Sequence, residues 1–352
     1  MRAVEKAILT NTDENNKHPK YWKDKDVLLE PILNKTIAVI GYGIQGRAQA
    51  CNLKDSGINV IVGLHKESKS KELAVNDGQK VMEVCQATKQ AHVIHILVPD
   101  MEQGRIYKND IEPYLSENAA ICFSHGAAIH WKWIIPPSNV DVIMVAPKGP
   151  GQKVRELFKE GFGIPSLVAV YQNHSHTAWD KVLAISKGIG STRPGVIKTD
   201  FKEEVETDCF GEQVILCGGV QSMIVNAFEI LIESGYQPEV AYFECLHELK
   251  LIVDLIYNSG LTGMYNRVSE TARYGGITRG ERIIDKKSIN NMKKILNEIQ
   301  SGQFAKEWIE IYEKEKKQSF QKFMQKIENH RIEKIGKDLR EIMYKKIDKE
   351  VK

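Results

Sequence analysis

Several features that would assign this chain of 352 residues to a membrane or secreted class are missing from its sequence. No run of about 18 apolar residues is free of charge, and we therefore expect no membrane-spanning helix. The first 26 residues lack the apolar segment of a secretory signal and are too acidic for a typical transit peptide. These absences predict a cytoplasmic protein without a membrane partner.

The cysteine patterns that hold metals or disulfides are also missing. No Cys-x-x-Cys pair occurs, and each cysteine stands in apolar or helical sequence. The six are Cys51, Cys85, Cys122, Cys209, Cys217 and Cys245. Buried reduced thiols are therefore a better interpretation than a disulfide framework or a zinc site.

An excess of one charge is missing from the chain as a whole, although not from its end. The sequence has 49 Lys or Arg and 46 Asp or Glu, whereas residues 314–352 alone have 13 basic and 7 acidic residues. This tail alternates both charges around an apolar stripe, which favours helix packing over phosphate binding. We expect no nucleic-acid partner.

What the sequence does contain predicts two domains. From Lys35 to about Val170, apolar β-branched runs alternate with helical segments, the pattern of βαβ units and a parallel sheet covered on both faces. After about Thr199 the apolar spacing is helical throughout. We expect an α/β domain over residues 1–198, an all-helical domain over 199–330 and a basic helical tail over 331–352.

A glycine-rich turn follows the first of these strands and begins a helix. Residues 41–46 read Gly-Tyr-Gly-Ile-Gln-Gly directly after Thr-Ile-Ala-Val-Ile. The G-x-G-x-x-G spacing is weak alone, but in this context it lets backbone N–H groups meet a pyrophosphate. It predicts a Rossmann-like dinucleotide domain; the alternative is a turn that only packs helix on strand.

The loop after the second strand bears on the choice of cofactor. An NAD-preferring site usually places an acidic residue there. The loop from His65 to Ser70 is instead basic and rich in hydroxyls, which suits the 2′-phosphate of NADP. Glu67 is the counter-evidence because it could turn in and favour NAD, and a solvated surface loop is a further alternative.

Two pairs of carboxylates stand four residues apart in the helical half, Asp208 with Glu212 and Glu244 with Glu248. Each pair lies on one helix face, where like charges repel, so a positive centre is expected nearby. All-oxygen ligands favour Mg²⁺ and then Mn²⁺. The alternative is a pair of solvated faces neutralised by lysines elsewhere.

Polar residues also follow two later strands. His125 comes after Ala-Ala-Ile-Cys-Phe, and Lys148 comes after Val-Ile-Met-Val-Ala. Both therefore fall at carboxyl ends of strands, the edge where open α/β sheets bind ligands. A histidine there can transfer protons near neutral pH and a lysine can neutralise an oxyanion, although each alone could be merely structural.

Together these segments resemble the ketol-acid reductoisomerase family in its short form. The blocks GYGIQG, VAPKGPG, ETDCFGEQ, AYFECLHELKLIVDL and SETARYG occur in the family's order between about Tyr21 and Trp308. The resemblance implies two Mg²⁺ ions, alkyl migration in 2-acetolactate or 2-aceto-2-hydroxybutyrate, and reduction by NADPH to a 2,3-dihydroxy acid, in valine, isoleucine and leucine biosynthesis. It also implies a knotted helical domain and a homodimer or larger homo-oligomer with shared active sites.

The resemblance implies roles for residues by their position. His125 and Lys148 would be catalytic, and Ser269 would hold the substrate carboxylate. Asp208 would bridge the metals; Glu212, which is also a catalytic candidate, would complete the ligands with Glu244 and Glu248. The residues that match cofactor contacts are Gly41, Tyr42, Gly43, Ile44, Gln45, Gly46, His65, Ser68, Ser70, Asp100, Met101, Glu102, Gln103 and Gly151.

The sequence departs from the family pattern around the cofactor and the pocket wall. The family usually has Ser-Gln-Gly-His where residues 44–47 read Ile-Gln-Gly-Arg, and His-Gly-Phe-Asn-Ile where residues 125–129 read His-Gly-Ala-Ala-Ile. His65 replaces a usual arginine and Glu67 a usual glycine. All the matching acidic ligands are retained, so the departures bear on cofactor preference and substrate range rather than on the reaction.

Two other classes share features with this sequence. A metal-independent 3-hydroxy acid dehydrogenase would have the same architecture, and a redox-sensing or structural protein could have kept the fold without turnover. The retained acidic pairs, together with His125 and Lys148, favour the reductoisomerase over both.

Overall fold

The structure is a computed structural model that describes residues 21–315 and 318–343. The chain divides into two compact units, one ending at Thr207 and the other beginning at Asp208. The first unit is built on a β-sheet, and the described part of the second contains helices only. The predicted α/β and all-α halves are confirmed.

One sheet runs through the first unit. Its strands are β1 (Tyr21–Trp22), β2 (Thr36–Ile40), β3 (Asn59–Leu64), β4 (Lys80–Glu83), β5 (Val93–Ile96), β6 (Ala120–Phe123), β7 (Asp141–Pro147), β8 (Ser166–Gln172) and β9 (Val196–Lys198). Their order across the sheet is β1-β9-β8-β7-β6-β5-β2-β3-β4. β2 pairs in parallel with β3 on one side and with β5 on the other, so the chain changes direction across the sheet at β2. Such a switch point opens a crevice at the carboxyl ends of the strands.

The expectation of a wholly parallel sheet is wrong at β8. The backbone N–H of Lys148, just after β7, donates to the carbonyl of Pro165, just before β8, at 2.9 Å. β8 therefore begins beside the carboxyl end of β7, and the two strands run antiparallel. The short β1 also pairs antiparallel, with β9.

Helices cover both faces of this sheet. They are α1 (Glu30–Leu33), α2 (Ile44–Asp55), α3 (Lys71–Asn76), α4 (Val84–Gln90), α5 (Asp100–Ile106), α6 (Ala127–His130), α7 (Gly151–Lys159) and α8 (Ala178–Gly188). Short 3₁₀ segments lie at Asp24–Asp26 and Glu112–Tyr114, and a π-helical segment at Tyr107–Ile111. Ile37 and Val39 point into one apolar core and Ala38 and Ile40 into the other. Burial on both faces explains the continuous apolar runs of these strands.

The remaining helices follow in chain order. They are α9 (Phe201–Gly211), α10 (Gly219–Glu233), α11 (Pro238–Tyr242), α12 (Glu248–Tyr265), α13 (Glu270–Ile283), α14 (Lys286–Gln300), α15 (Gln303–Glu315), α16 (Gln318–Glu328) and α17 (Arg331–Met343). π-helical segments at Glu212–Leu216 and Phe243–His247 interrupt them. The end of the predicted tail, residues 344–352, lies outside the described residues. The knot implied by the resemblance stays a prediction.

The helical unit leaves much apolar surface exposed. Its small core holds Phe228, Ala241, Tyr242 and Ile332. The exposed apolar side chains include Ile215, Leu216, Met223, Ile230, Leu251, Val253, Tyr257 and Leu261. By length and composition alone, the segment Phe201–Glu233 could cross a membrane, and only 6% of its most apolar window is buried within the chain. The search for about 18 consecutive uncharged apolar residues did not detect this segment, because charged residues such as Glu212 and Glu229 interrupt it.

The cysteines are free thiols, but they are not all buried as expected. Cys122 and Cys209 are buried, Cys51, Cys85 and Cys245 are partly buried, and Cys217 is exposed. Cys217 follows the π-helical segment Glu212–Leu216, whose last two residues are also exposed.

Candidate active site

A cavity of about 650 Å³ lies in the first unit along the carboxyl ends of the parallel strands. It is lined by residues that follow β2, β3, β5, β6 and β7, as expected of an open α/β sheet at its switch point. The predicted site residues that line it are Gly41, Tyr42, Gly43, Ile44, Gln45, His65, Ser68, Ser70, Asp100, Gln103 and His125. Gly46, Met101, Glu102 and Gly151 are not among the lining residues.

Close backbone packing explains the glycines of the turn. Gly41 has a φ of +102°, and a Cβ there would lie 2.8 Å from the carbonyl oxygen of Leu97. A Cβ on Gly46 would lie 2.4 Å from the carbonyl oxygen of Gly41. Gly43 instead has nothing within 4 Å of a would-be Cβ, so the middle glycine leaves open space for a ligand. A Cβ on Gly151 would lie 2.5 Å from the Ile44 carbonyl oxygen, so this glycine packs α7 against the turn.

The side chain of Tyr42 anchors the glycine turn to Asp77. Its hydroxyl donates to Asp77 Oδ2 at 2.9 Å, and Arg47 donates to both oxygens of the same carboxylate at 2.7 and 3.0 Å. The hydrogen bond from Arg47 lowers the pKa of Asp77, whereas burial, Cys51 and Asp77 raise the pKa of Tyr42. Arg47, one of the departures from the family pattern, therefore acts with Asp77 to anchor the turn.

Three polar residues of the loop after β3 line the cavity. His65, Ser68 and Ser70 line the space, whereas Glu67 does not. Lys66 also lies outside the lining and pairs with Glu83 at 3.4 Å. The residues that this loop contributes to the cavity lining therefore can form hydrogen bonds and include no carboxylate.

His125, which lines the cavity, is held by Glu204, a residue that the sequence analysis did not identify. Oε2 of Glu204 lies 3.1 Å from Nδ1 of His125 and accepts a hydrogen bond from the backbone N–H of Gly126 at 3.0 Å. Oε1 accepts from Nζ of Lys148 at 2.8 Å. The two predicted catalytic side chains, from loops after β6 and β7, thus meet on one carboxylate of α9.

The charge state of Glu204 follows from these partners. Only 1% of its side chain is exposed, and burial alone would raise its pKa. The hydrogen bond and charge of His125, with the charge and hydrogen bond of Lys148, outweigh burial and lower the pKa to about 2. Glu204 is therefore a buried carboxylate that is ionised near neutral pH.

A signal for Glu204 was present in the sequence. Glu204, Asp208 and Glu212 follow one another at intervals of four residues, so Glu204 extends the predicted acidic pair by one helical turn. The neighbouring Glu203 is exposed, whereas Glu204 is buried. The four-residue spacing therefore distinguishes Glu204 from Glu203 in the sequence.

The predicted metal ligands lie next to irregular helix. Asp208 is on α9 one turn after Glu204, and Glu212 begins a π-helical segment. Glu244 lies within the other π-helical segment and Glu248 begins α12. Such segments are frequent at functional sites. Glu212, Glu244 and Glu248 are exposed, and among the described residues the two pairs do not form a close group of potential ligands with each other.

Ser269, the predicted substrate residue, lies elsewhere in the helical unit. It is exposed and caps α13, because its Oγ accepts a hydrogen bond from the backbone N–H of Ala272 at 3.1 Å. Its position on this chain does not bring it into the cavity lining.

Comparison with known proteins covers both halves of the chain. Residues 31–195 match the sequence model of the acetohydroxy acid isomeroreductase NADPH-binding domain, and residues 201–345 match that of the ketol-acid reductoisomerase C-terminal domain. The ketol-acid reductoisomerase (NADP(+)) of Nitrosopumilus maritimus (strain SCM1) is 60% identical, over 92% of this chain and 97% of that protein. The enzyme of the same name from Methanocaldococcus jannaschii is 55% identical, over 92% and 98%.

A solved structure gives the same result. The NADH-preferring ketol-acid reductoisomerase from an uncultured archean is 44% identical, with a TM-score of 0.90 over 92% of this chain and 99% of that one. A semialdehyde dehydrogenase NAD-binding protein from Cupriavidus necator is 18% identical with a TM-score of 0.58, a likeness of fold alone. The two sequence models and the identities show that the chain belongs to the ketol-acid reductoisomerase family.

Proposed function

We propose that this protein is a cytoplasmic ketol-acid reductoisomerase of valine, isoleucine and leucine biosynthesis. It would convert 2-acetolactate or 2-aceto-2-hydroxybutyrate into the 2,3-dihydroxy acid with NADPH and two Mg²⁺ ions. One observation carries the proposal: a single cavity joins a dinucleotide turn to His125, whose ring is held with Lys148 on the buried Glu204. The NADP(+) enzymes named above support the choice of reaction.

The cofactor end of the cavity favours NADPH over NADH. A 2′-phosphate needs donors, and the hydroxyls of Ser68 and Ser70 line the cavity together with His65. Glu67, the residue that could bind the ribose hydroxyls of NADH, is outside the lining. The solved relative that prefers NADH shows that the preference varies within the family, so it needs a direct test.

The acidic residues fit a hard divalent cation. Asp208 and Glu212 stand four residues apart, an arrangement of like charges that a divalent cation would stabilise and that offers only oxygen ligands. Asp208, Glu212, Glu244 and Glu248 are the proposed ligands of two Mg²⁺ ions. When bound, two such ions polarise a carbonyl and acidify a neighbouring hydroxyl, as alkyl migration requires.

The side chains at the end of the cavity would manage the protons of the reaction. In the first step the substrate hydroxyl loses its proton, the alkyl group moves with its bonding electrons to the neighbouring carbonyl carbon, and the alkoxide formed at that carbon takes up a proton. In the second step NADPH gives a hydride to the new ketone and one proton is added. His125 lines the cavity and can transfer these protons, while the ionised Glu204 orients its ring and Lys148 adds positive charge beside them.

The helical unit supports a homodimer with shared sites. Its apolar residues lie on more than one face and are exposed on a single chain, so they need a covering surface. The two acidic pairs do not form a close group of ligands with each other within one chain. We propose that Asp208 and Glu212 of one copy meet Glu244 and Glu248 of a second copy.

The decisive experiment follows NADPH oxidation with 2-acetolactate, with Mg²⁺ and after EDTA treatment. The proposal expects turnover only with Mg²⁺. The rearranged 2-keto acid, supplied directly, isolates the reduction step and shows whether a failure concerns migration or hydride transfer. Turnover of a simple 3-hydroxy acid with NADP⁺ after EDTA, without turnover of 2-acetolactate, would instead establish the metal-independent dehydrogenase.

A further inference from the structure

A chain of hydrogen bonds runs beneath the glycine turn. Gln45 Nε2 donates to the carbonyl of Gly149 at 3.0 Å, and Gln49 Nε2 donates to Gln45 Oε1 at 3.1 Å. Gln49 Nε2 also donates to Ser124 Oγ at 3.0 Å, and Ser124 Oγ lies 3.2 Å from Nε2 of His95. Gln45 and Ser124 line the cavity, whereas Gln49 and His95 are fully buried behind it.

These hydrogen-bonded polar groups lie in a region where apolar side chains would cost less free energy to bury. His95 is on β5 beside Val39 and Cys122, its register neighbours on β2 and β6, which belong to an apolar core. Burial keeps the His95 ring neutral by lowering its pKa to about 3. Its Nδ1 has no hydrogen-bond partner among the described residues, and an unsatisfied buried polar atom costs free energy. Polar groups retained against stability in this way are expected at functional sites.

Two members of this hydrogen-bonded chain, Gln45 and Ser124, are parts of the proposed active site. Gln45 belongs to the turn that receives the dinucleotide, and Ser124 precedes His125 in the sequence. A shift of the turn would therefore act on the backbone that carries His125 through Gln49, which is buried behind the cavity. Small misplacements of a catalytic group have large effects on rate.

We propose that Gln49, Ser124 and His95 are positioning residues that couple dinucleotide binding at the turn to the placement of His125. The inference rests on the proposed function for its catalytic half. Its binding half does not, because the affinity for NADPH can be measured without turnover.

His95→Met is the informative variant, because His95 lies outside the cavity lining and Met fills a similar volume without the hydrogen bond. We expect the dissociation constant of NADPH, measured by cofactor fluorescence, to rise about threefold or more. We expect kcat with 2-acetolactate to fall about tenfold while its KM stays within about twofold. His95→Gln, which can bond to Ser124 again, should recover most of both losses.

Thr88→Val is the matched control, because Thr88 is also buried and loses a side-chain hydrogen bond, to Val84 O at 2.9 Å, outside the network. It should leave both constants unchanged. Gln49→Leu combined with His95→Met should be no worse than the more damaging single variant, since both break one chain. Ser124→Ala is measured in parallel as a smaller change, so that poor folding of His95→Met does not end the test.

The coupling is overturned if His95→Met and Ser124→Ala both keep NADPH affinity and kcat within twofold of the wild type. It is also overturned if the losses in the double variant multiply. A wild-type protein that binds NADPH but does not turn over 2-acetolactate would refute the proposed function instead, and the NADPH affinities of the variants would still decide whether the network supports the turn.

Discussion

Oε2 of Glu204 lies 3.1 Å from Nδ1 of His125, a residue that lines the cavity. The carboxylate is ionised, so the Nδ1–H of the histidine is the donor in this contact. A histidine oriented in this way keeps one tautomer and one ring position, as proton transfer to a bound substrate requires. Lys148 on the other oxygen neutralises the same carboxylate, so the lysine and the histidine together stabilise one buried charge.

The first prediction concerns this carboxylate. Glu204→Gln keeps the size of the side chain but removes the charge that orients His125, so we expect kcat to fall by about 100-fold or more. Glu203→Gln is the control, since it makes the same chemical change at an exposed position of the same helix. Steady-state kinetics with 2-acetolactate measure both. Similar rates for the two variants would show that Glu204 has no special role.

The contrast between Glu203 and Glu204 also shows how much of the site the sequence can predict. Spacing places acidic residues on one helix face, but burial and partners come from His125 and Lys148, which are about 80 and 55 residues away in the chain. Similarly, apolar runs identified the main strands, whereas the direction of β8 depends on where the chain re-enters the sheet. Local patterns predict elements; long-range contacts decide which side chains of those elements meet.

The buried hydrogen-bond network under the turn could not be predicted from the sequence, because it also depends on long-range contacts. A single histidine within an apolar strand has no pattern of its own, and the sequence gives no sign that it faces Gln49 and Ser124. The glycine turn, in contrast, was predictable, because strand, glycines and helix are contiguous.

The second prediction concerns the choice of cofactor. In the Ser68→Ala/Ser70→Ala double variant, the 2′-phosphate would lose two donors, so we expect the KM for NADPH to rise about tenfold or more and that for NADH to change little. The comparison of kcat/KM for the two cofactors measures the effect. Glu67→Gln is the control and should leave the ratio unchanged, because Glu67 does not line the cavity. Impaired use of NADH in Glu67→Gln would mean that this carboxylate turns in toward the ribose.

The third prediction tests whether two copies share each site. Asp208→Asn and Glu244→Gln should each abolish activity as pure proteins. Refolded together in equal amounts, about half of the dimers are mixed and each mixed dimer has one intact site, so about a quarter of the wild-type activity should return. Light scattering at the assay concentration should also show at least a dimer.

The control for this mixture uses two variants from the same acidic pair. Asp208→Asn mixed with Glu212→Gln should recover nothing, because every site of a mixed dimer then carries a substitution. If the Asp208→Asn and Glu244→Gln mixture also recovers nothing, copies do not share sites, and an active monomer would rule out the dimer itself.

The fourth prediction uses the burial of His95 to set the pH dependence of folding. Burial lowers the pKa of His95 from its ordinary value of 6.5 to about 3, so the folded protein keeps the ring neutral while the unfolded chain takes up a proton below pH 6.5. The free energy of unfolding should therefore fall by about 1.4 kcal/mol for each pH unit between 6.5 and 3. Between pH 7 and pH 5 the wild type should lose about 2 kcal/mol more than His95→Met.

Urea unfolding of both proteins at the two pH values, at one protein concentration, measures this difference, because other titrating groups are common to the two chains. His174→Gln, which replaces an exposed histidine, serves as the control. A parallel loss of stability in the wild type and His95→Met would contradict a neutral, buried His95. In that case the His95 ring would contact water or a charged partner in the folded protein, and Ser124 would not be its only hydrogen-bond partner.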